Sequence, residues 1–294
     1  MTNRTFQGRY LLRPSEELRA IVLGALGRAQ TNFGMSIHAF TFASNHFHLL
    51  LSPRDAGQLA AFMEHFESKL AREVNRLHDW SGSVWAERYS AIPIEDDEEA
   101  LVERLRYVLA HGIKENLVER AADWPGANCV RALTEDERLL GKWPDRTAQH
   151  VASRWGREVD EDDFSQEEEV CLTPLPCWLH LSSDERREAV RAIIEAIEAD
   201  AAARHRAAGT RPAGVRAILR HHPHERPDKL ARSPRPWFHT RTSAGRERLR
   251  EAYRLFEDAF RHAAELLRAG VPNPPFPEGS FPPGMPFVPH HAPG

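Results

Sequence analysis

Apolar positions in the first 110 residues alternate between stretches of helical and of strand period. Leu18, Ile21, Val22, Ala25 and Ala29 recur at helical spacing and predict a helix over 16–32, opened by Pro14 and Ser15. Ser36–Ala43 and His46–Ser52 read as two strands joined by a tight Ser44-Asn45 link. Leu59, Phe62, Met63, Phe66, Leu70 and Val74 predict a second helix over 58–78. Residues 6–12 and 83–94 read as further strands, and 96–110 as a third helix. This order suits an α+β fold of ferredoxin-like type, an antiparallel sheet with helices on one face, better than a doubly wound parallel sheet.

Beyond residue 144 the pattern changes. An acidic stretch is followed by an Ala/Arg/Glu-rich helical segment (182–206), a Pro/His/Arg-rich stretch (210–240) and a second helical segment (244–269). A Pro-rich tail then excludes helix and central strand, because proline removes a donor and fixes φ. The expected division is a compact domain over 4–133, an acidic linker over 145–181, a helical basic extension over 182–269, and the tail over 270–294.

Composition changes this picture in one respect. The net charge of −4 argues against a protein that grips nucleic acid over its whole surface. Yet residues 204–268 hold 16 Lys+Arg against 7 Asp+Glu, and residues 145–203 hold 6 against 15. Such polarity suits a solvated linker and helix face, or an accessory arm for an acidic partner. No apolar run reaches the roughly 18 residues of a membrane helix. Cys129, Cys171 and Cys177 are too scattered for a disulfide framework or a zinc knuckle. With no leader-like pattern in the first residues, a cytoplasmic protein is the expectation.

The most informative stretch is Asn45-His46-Phe47-His48. Residues i and i+2 of a strand share a face, so His46 and His48 present two imidazoles side by side while Phe47 packs on the other side. A pair of neutral imidazoles on a rigid strand is a start for a metal site. On its own, His-x-His equally describes surface or structural histidines.

The helix over 96–110 carries the second clue. At 100° per residue, Leu101, Val102, Leu105, Val108 and Leu109 form one apolar face, and Gly112 reads as the residue just past the helix end. Tyr107 and His111 lie together on another face, one turn apart. A tyrosine serving only the core belongs within the leucine face, although one at the rim of the core also fits. A phenol that ionises near pH ~10 is a poor nucleophile unless a cation neutralises the phosphate it attacks. Three imidazoles and one phenol therefore form a candidate site, provided strand and helix meet.

In order and spacing these residues resemble a known group. Ser36–Leu51 is similar to the signature of the HUH single-tyrosine transposases, in which two histidines flank an apolar residue after an asparagine. Trp85-Ala-Glu-Arg88-Tyr89, Leu105-Arg106-Tyr107, Leu117-Val118 and Asp123-Trp124-Pro125 then resemble the REP-associated tyrosine transposase group, over roughly residues 4–133. The resemblance implies a ferredoxin-like fold and a single-stranded or hairpin DNA substrate. It also implies a Mg²⁺ or Mn²⁺ ion on His46 and His48, and a 5′-phosphotyrosine intermediate on Tyr107.

The third ligand position, usually an amide, is His111 here, which favours softer ions. Two departures leave the catalytic groups intact: Ala43-Ser44 stands where Met-Pro is usual, and His111-Gly112-Ile113-Lys114 where Asn-Pro-Val-Arg is common. Arg88, Arg106 and Lys114 are candidate phosphate contacts, and Trp85 a candidate stacking platform for a base. The expected function is metal-dependent cutting and rejoining of single-stranded DNA, that is, DNA transposition, by a monomer or homodimer. The alternatives are a non-cutting module of the same fold that binds DNA or RNA hairpins, and a histidine-rich metal-binding protein using His221, His222, His224, His290 and His291.

Overall fold

The computed structural model describes residues 1–155, 160, 162–228 and 237–282. His290, His291 and the end of the Pro-rich tail lie outside these, as do parts of the acidic stretch. Among the described residues no helix is long and apolar enough to cross a membrane.

The architecture is α+β. Three antiparallel strands, β1 (Thr2–Arg4), β2 (Ser36–Ala43) and β3 (His46–Ser52), form a sheet in the order β1-β3-β2, with β3 central. Its register sets Thr2 and Thr41 beside His48, Asn3 and Phe42 beside Phe47, and Arg4 and Ala43 beside His46. The pleat thus splits the sheet into a phenylalanine face and a histidine face.

Helix α1 (Glu16–Phe33) is capped by the Ser15 side chain and ended by left-handed Gly34. Helix α2 (Ala56–His78) is capped by Asp55. Phe66 of α2 packs against Phe42 and Phe47, so α2 lies on the phenylalanine face. Helix α3 (Glu98–Leu109), capped by Asp97, lies across the histidine face. Helices therefore flank both faces of a three-stranded sheet, where one covered face was expected.

Three sequence expectations change in detail. Residues 6–12 form no strand: Phe6–Gly8 is a tight 3-10 turn, and the strand lies earlier at Thr2–Arg4, a polar triplet held by pairing with β3. Residues 83–94 form no strand: they pair at single bridges, Thr5 with Trp85 and Thr2 with Ser90, while Ile94 bridges His239. Gly112 does not end the helix over 96–110. Helix α3 stops at Leu109, and a further turn, α4 (His111–Lys114), takes Gly112 into the core. There a Cβ would lie 3.0 Å from Val118 and 3.1 Å from Trp124, so the glycine serves close packing rather than a turn.

After α5 (Val130–Glu135), β4 (Leu140–Pro144) pairs antiparallel with β5 (Ser165–Glu169), leaving α6 (Arg146–Arg154) between them. Part of the stretch expected as an acidic linker is thus a strand of a two-stranded ribbon on α1. A Cβ on Gly27 of α1 would lie 2.9 Å from the Glu169 carbonyl oxygen.

Helix α7 (Ser183–Ala208) starts with a capping box between Ser182 and Glu185 and packs on α3, α4 and α5. Helix α8 (Val215–Arg220) follows. Helix α9 (Ser243–Arg268) begins beside Glu95, whose carboxylate takes hydrogen bonds from Thr240 and Thr242 and pairs with Arg248.

Candidate metal and tyrosine site

The site is built where β3 meets the α3–α4 corner. His46 and His48 point to α3 because Phe47 between them is drawn to the opposite core, where it is fully buried against Phe66 and Trp85. His111 opens α4, and α4 is clamped from below by Trp124, whose indole donates to the Phe42 carbonyl at 2.9 Å.

The three rings converge. Ring centres are 5.2 Å apart for His46 and His48, 4.6 Å for His46 and His111, and 4.9 Å for His48 and His111. One nitrogen from each falls within 4.8 Å of the others, a spacing that can hold a metal ion. Tyr107 adjoins them, its ring centre 5.2 Å from that of His48 and 6.4 Å from that of His111.

Electrostatics keep the cluster neutral. Burial pushes the His46 and His48 imidazoles well below their usual range, and the repulsion any proton on His111 would exert pushes them further. Burial, then Lys114, lowers His111 to about 4. Neutral imidazole is the form that ligates metal. Both ring nitrogens of His111 are buried without a hydrogen-bond partner, a costly arrangement in a protein that offers them nothing else. His46 Nδ1 donates to Asn45 Oδ1 at 2.7 Å, which leaves its Nε2 lone pair for the cluster. Orphaned buried nitrogens and a set of converging neutral donors fit a divalent ion.

Of the other sequence candidates, Lys114 joins the site and Arg106, Arg88 and Trp85 make their contacts elsewhere. Lys114 is exposed and its Nζ lies 4.4 Å from the Tyr107 ring centre. Arg106 pairs with Asp200 of α7 at 2.9 Å. Arg88 is exposed and lies over the rings of Tyr89 and Phe281. Trp85 is not at the site: it packs edge-on to Phe47, behind the histidine face, and its indole donates to the Glu67 carbonyl at 3.0 Å. His222 and His224 are ring neighbours beside Trp80. Among the described residues, the group with metal-holding geometry is His46, His48 and His111.

Two basic residues at the site escaped the sequence reading. Arg4 is the cross-strand partner of His46 and depresses its protonation. With the first strand placed at 6–12, that register could not be drawn. Arg104 lies 5.2 Å from the Tyr107 ring centre, three residues before it on α3, a spacing visible in the sequence.

Residues 14–109, about a third of the chain, match the family described as IS200-like transposase. The match takes in His46, His48 and Tyr107 and supports a transposase-type function. No curated protein and no solved structure matches the chain.

Proposed function

We propose that this protein is a divalent-metal-dependent transposase that nicks and rejoins single-stranded DNA through Tyr107. The observation that carries the reading is the convergence of His46, His48 and His111 beside a tyrosine that lies outside the apolar face of its helix.

In this reading the Tyr107 hydroxyl oxygen attacks a phosphodiester. The Tyr107 O–P bond forms, the P–O3′ bond breaks, and the phenolic proton ends on the released 3′-hydroxyl. The reverse step joins the phosphoryl group to an incoming 3′-hydroxyl, so no nucleotide cofactor is consumed. A bound divalent ion supplies charge neutralisation at the phosphate oxygens and orients the phosphorus. His46, His48 and His111 hold that ion. Lys114 and Arg4 stand close enough to the cluster to attract the DNA backbone. Arg106, held by Asp200, contributes less.

The test is direct. Incubated with a single-stranded hairpin oligonucleotide from its own flanking sequence and Mn²⁺, the protein is expected to give a covalent adduct on a denaturing gel. The adduct is lost in Tyr107→Phe and in His48→Ala. DNA binding without adduct under any divalent ion identifies the hairpin-binding module instead.

A further inference from the structure

The geometry points to a link between the C-terminal extension and the tyrosine. We infer that His239 is a positioning residue, whose Nε2 accepts a hydrogen bond from Arg104 and holds that guanidinium across the Tyr107 ring, where it meets the phosphate that Tyr107 takes on. The inference rests on the reading of Tyr107 as nucleophile.

His239 is fixed by backbone pairing rather than by its side chain. Its N–H donates to Pro93 O and its carbonyl accepts from Glu95 N, each at 2.8 Å. Next to it, Thr240, Thr242 and Arg248 gather on the Glu95 carboxylate. This ties residues 239–248 to the segment just ahead of α3. From that fixed backbone His239 Nε2 lies 3.4 Å from the Arg104 guanidinium. Accepting there requires a neutral ring protonated at Nδ1. Burial, then Arg104 itself, lowers His239 to about 4 and keeps it neutral.

Arg104 needs the support. A free arginine side chain spreads over many rotamers. Its other polar partner is Glu103 at 3.3 Å, the preceding residue on α3. That contact, between neighbours on one helix and partly exposed, does little by itself to fix the guanidinium. His239, on a different element, holds it over the ring at 5.2 Å from the ring centre, while Lys114 stands at 4.4 Å. The phosphodiester formed on Tyr107 carries a negative charge beside these two cations, and a guanidinium offers it a planar pair of donors.

The test uses the full chain with Tyr107→Phe, Arg104→Ala, His239→Ala and His239→Gln. One readout is the Tyr107 ring resonance in DNA-free protein labelled on tyrosine rings, assigned by its loss in Tyr107→Phe. The other is the single-turnover rate of adduct formation on the hairpin oligonucleotide with Mn²⁺. Arg104→Ala and His239→Ala are expected to shift the Tyr107 resonance in the same direction and to slow the adduct about 100-fold, as loss of one charge-stabilising donor does. Mn²⁺ affinity should hold. His239→Gln, which keeps an acceptor at similar reach, should restore most of both signals, a rescue that a merely structural role would not show. An unmoved resonance and an unchanged rate in His239→Ala and Arg104→Ala, with Tyr107→Phe inactive, overturn this inference alone. An adduct that persists in Tyr107→Phe overturns the nucleophile reading, and this inference with it.

Discussion

The side-chain oxygen of Asn45 lies 2.7 Å from Nδ1 of His46, the residue that follows it at the start of β3. That contact fixes the imidazole tautomer and directs Nε2 toward His48 and His111. Second partners of this kind typically carry a 10–100-fold share of metal affinity. Asn45→Ala is expected to weaken Mn²⁺ binding about 10-fold by calorimetry, while Asn45→Asp, which keeps the acceptor, is not. Equal affinities in all three proteins would remove Asn45 from the site.

The donor set itself predicts a metal preference. Imidazole ligands suit transition ions, while Mg²⁺ prefers oxygen donors and gives up its water reluctantly. Chelator-treated protein should therefore regain adduct formation with Mn²⁺ at much lower concentration than with Mg²⁺. His111→Gln, which replaces an imidazole by an amide oxygen, should narrow that gap. A wild-type protein equally active in both ions, at equal concentration, would contradict a three-histidine site.

How far this was legible in the sequence depends on where the information sits. Helices α1 and α2 show apolar periodicity, with Ser15 opening the first, and α7 and α9 lie in stretches of helix-favouring composition, so their limits fall within a residue or two of expectation. The caps at Asp55, Ser182 and Thr242 emerge in the structure. The β2–β3 hairpin is local, and its period-2 pattern sets the imidazoles on one face. Strand β1 has no such pattern. Thr2, Asn3 and Arg4 become a strand only because β3 offers an open edge, so Arg4 opposite His46 could not be foreseen. The β4–β5 ribbon is equally non-local, and its acidic strand gives no alternation to read. His239 reaches Arg104 across 135 residues, a pairing set by the fold rather than by any motif.

Buried Glu67 gives the stability a pH dependence. Its Oε1 accepts from Asn3 Nδ2 at 2.9 Å, yet burial raises its carboxyl from 4.5 to about 7, with the Asn3 bond and Arg88 offsetting only part. Native protein thus binds this proton more tightly than unfolded chain. The resulting stability is complete below pH 4.5, declines as pH rises, and is gone above about 7, a loss of roughly 3 kcal/mol. Glu67→Gln keeps an acceptor for Asn3 without the charge. In urea denaturation it should be more stable than wild type at pH 8 and should lose that advantage at pH 5. The same difference at both values would show that Glu67 does not titrate in this range.

The ribbon that covers α1 depends on two glycines whose roles are steric. In a solvent-facing helix, replacing glycine by alanine stabilises by about 1 kcal/mol, because alanine restricts the unfolded chain and favours the helix. Gly24 lies in α1 under β4, and a Cβ there would overlap the Lys142 carbonyl; a Cβ on Gly141 would in turn overlap the backbone at Gly24. These atoms are backbone and cannot turn aside, so the ribbon itself would have to lift. The sign of the effect should therefore reverse. Gly24→Ala and Gly141→Ala are each expected to destabilise by at least about 2 kcal/mol, in the range of overpacked cores. The double variant should fall short of the sum, since one displacement relieves both clashes. Thermal unfolding of the single and double variants measures this, and a Gly24→Ala protein more stable than wild type would place the ribbon away from α1.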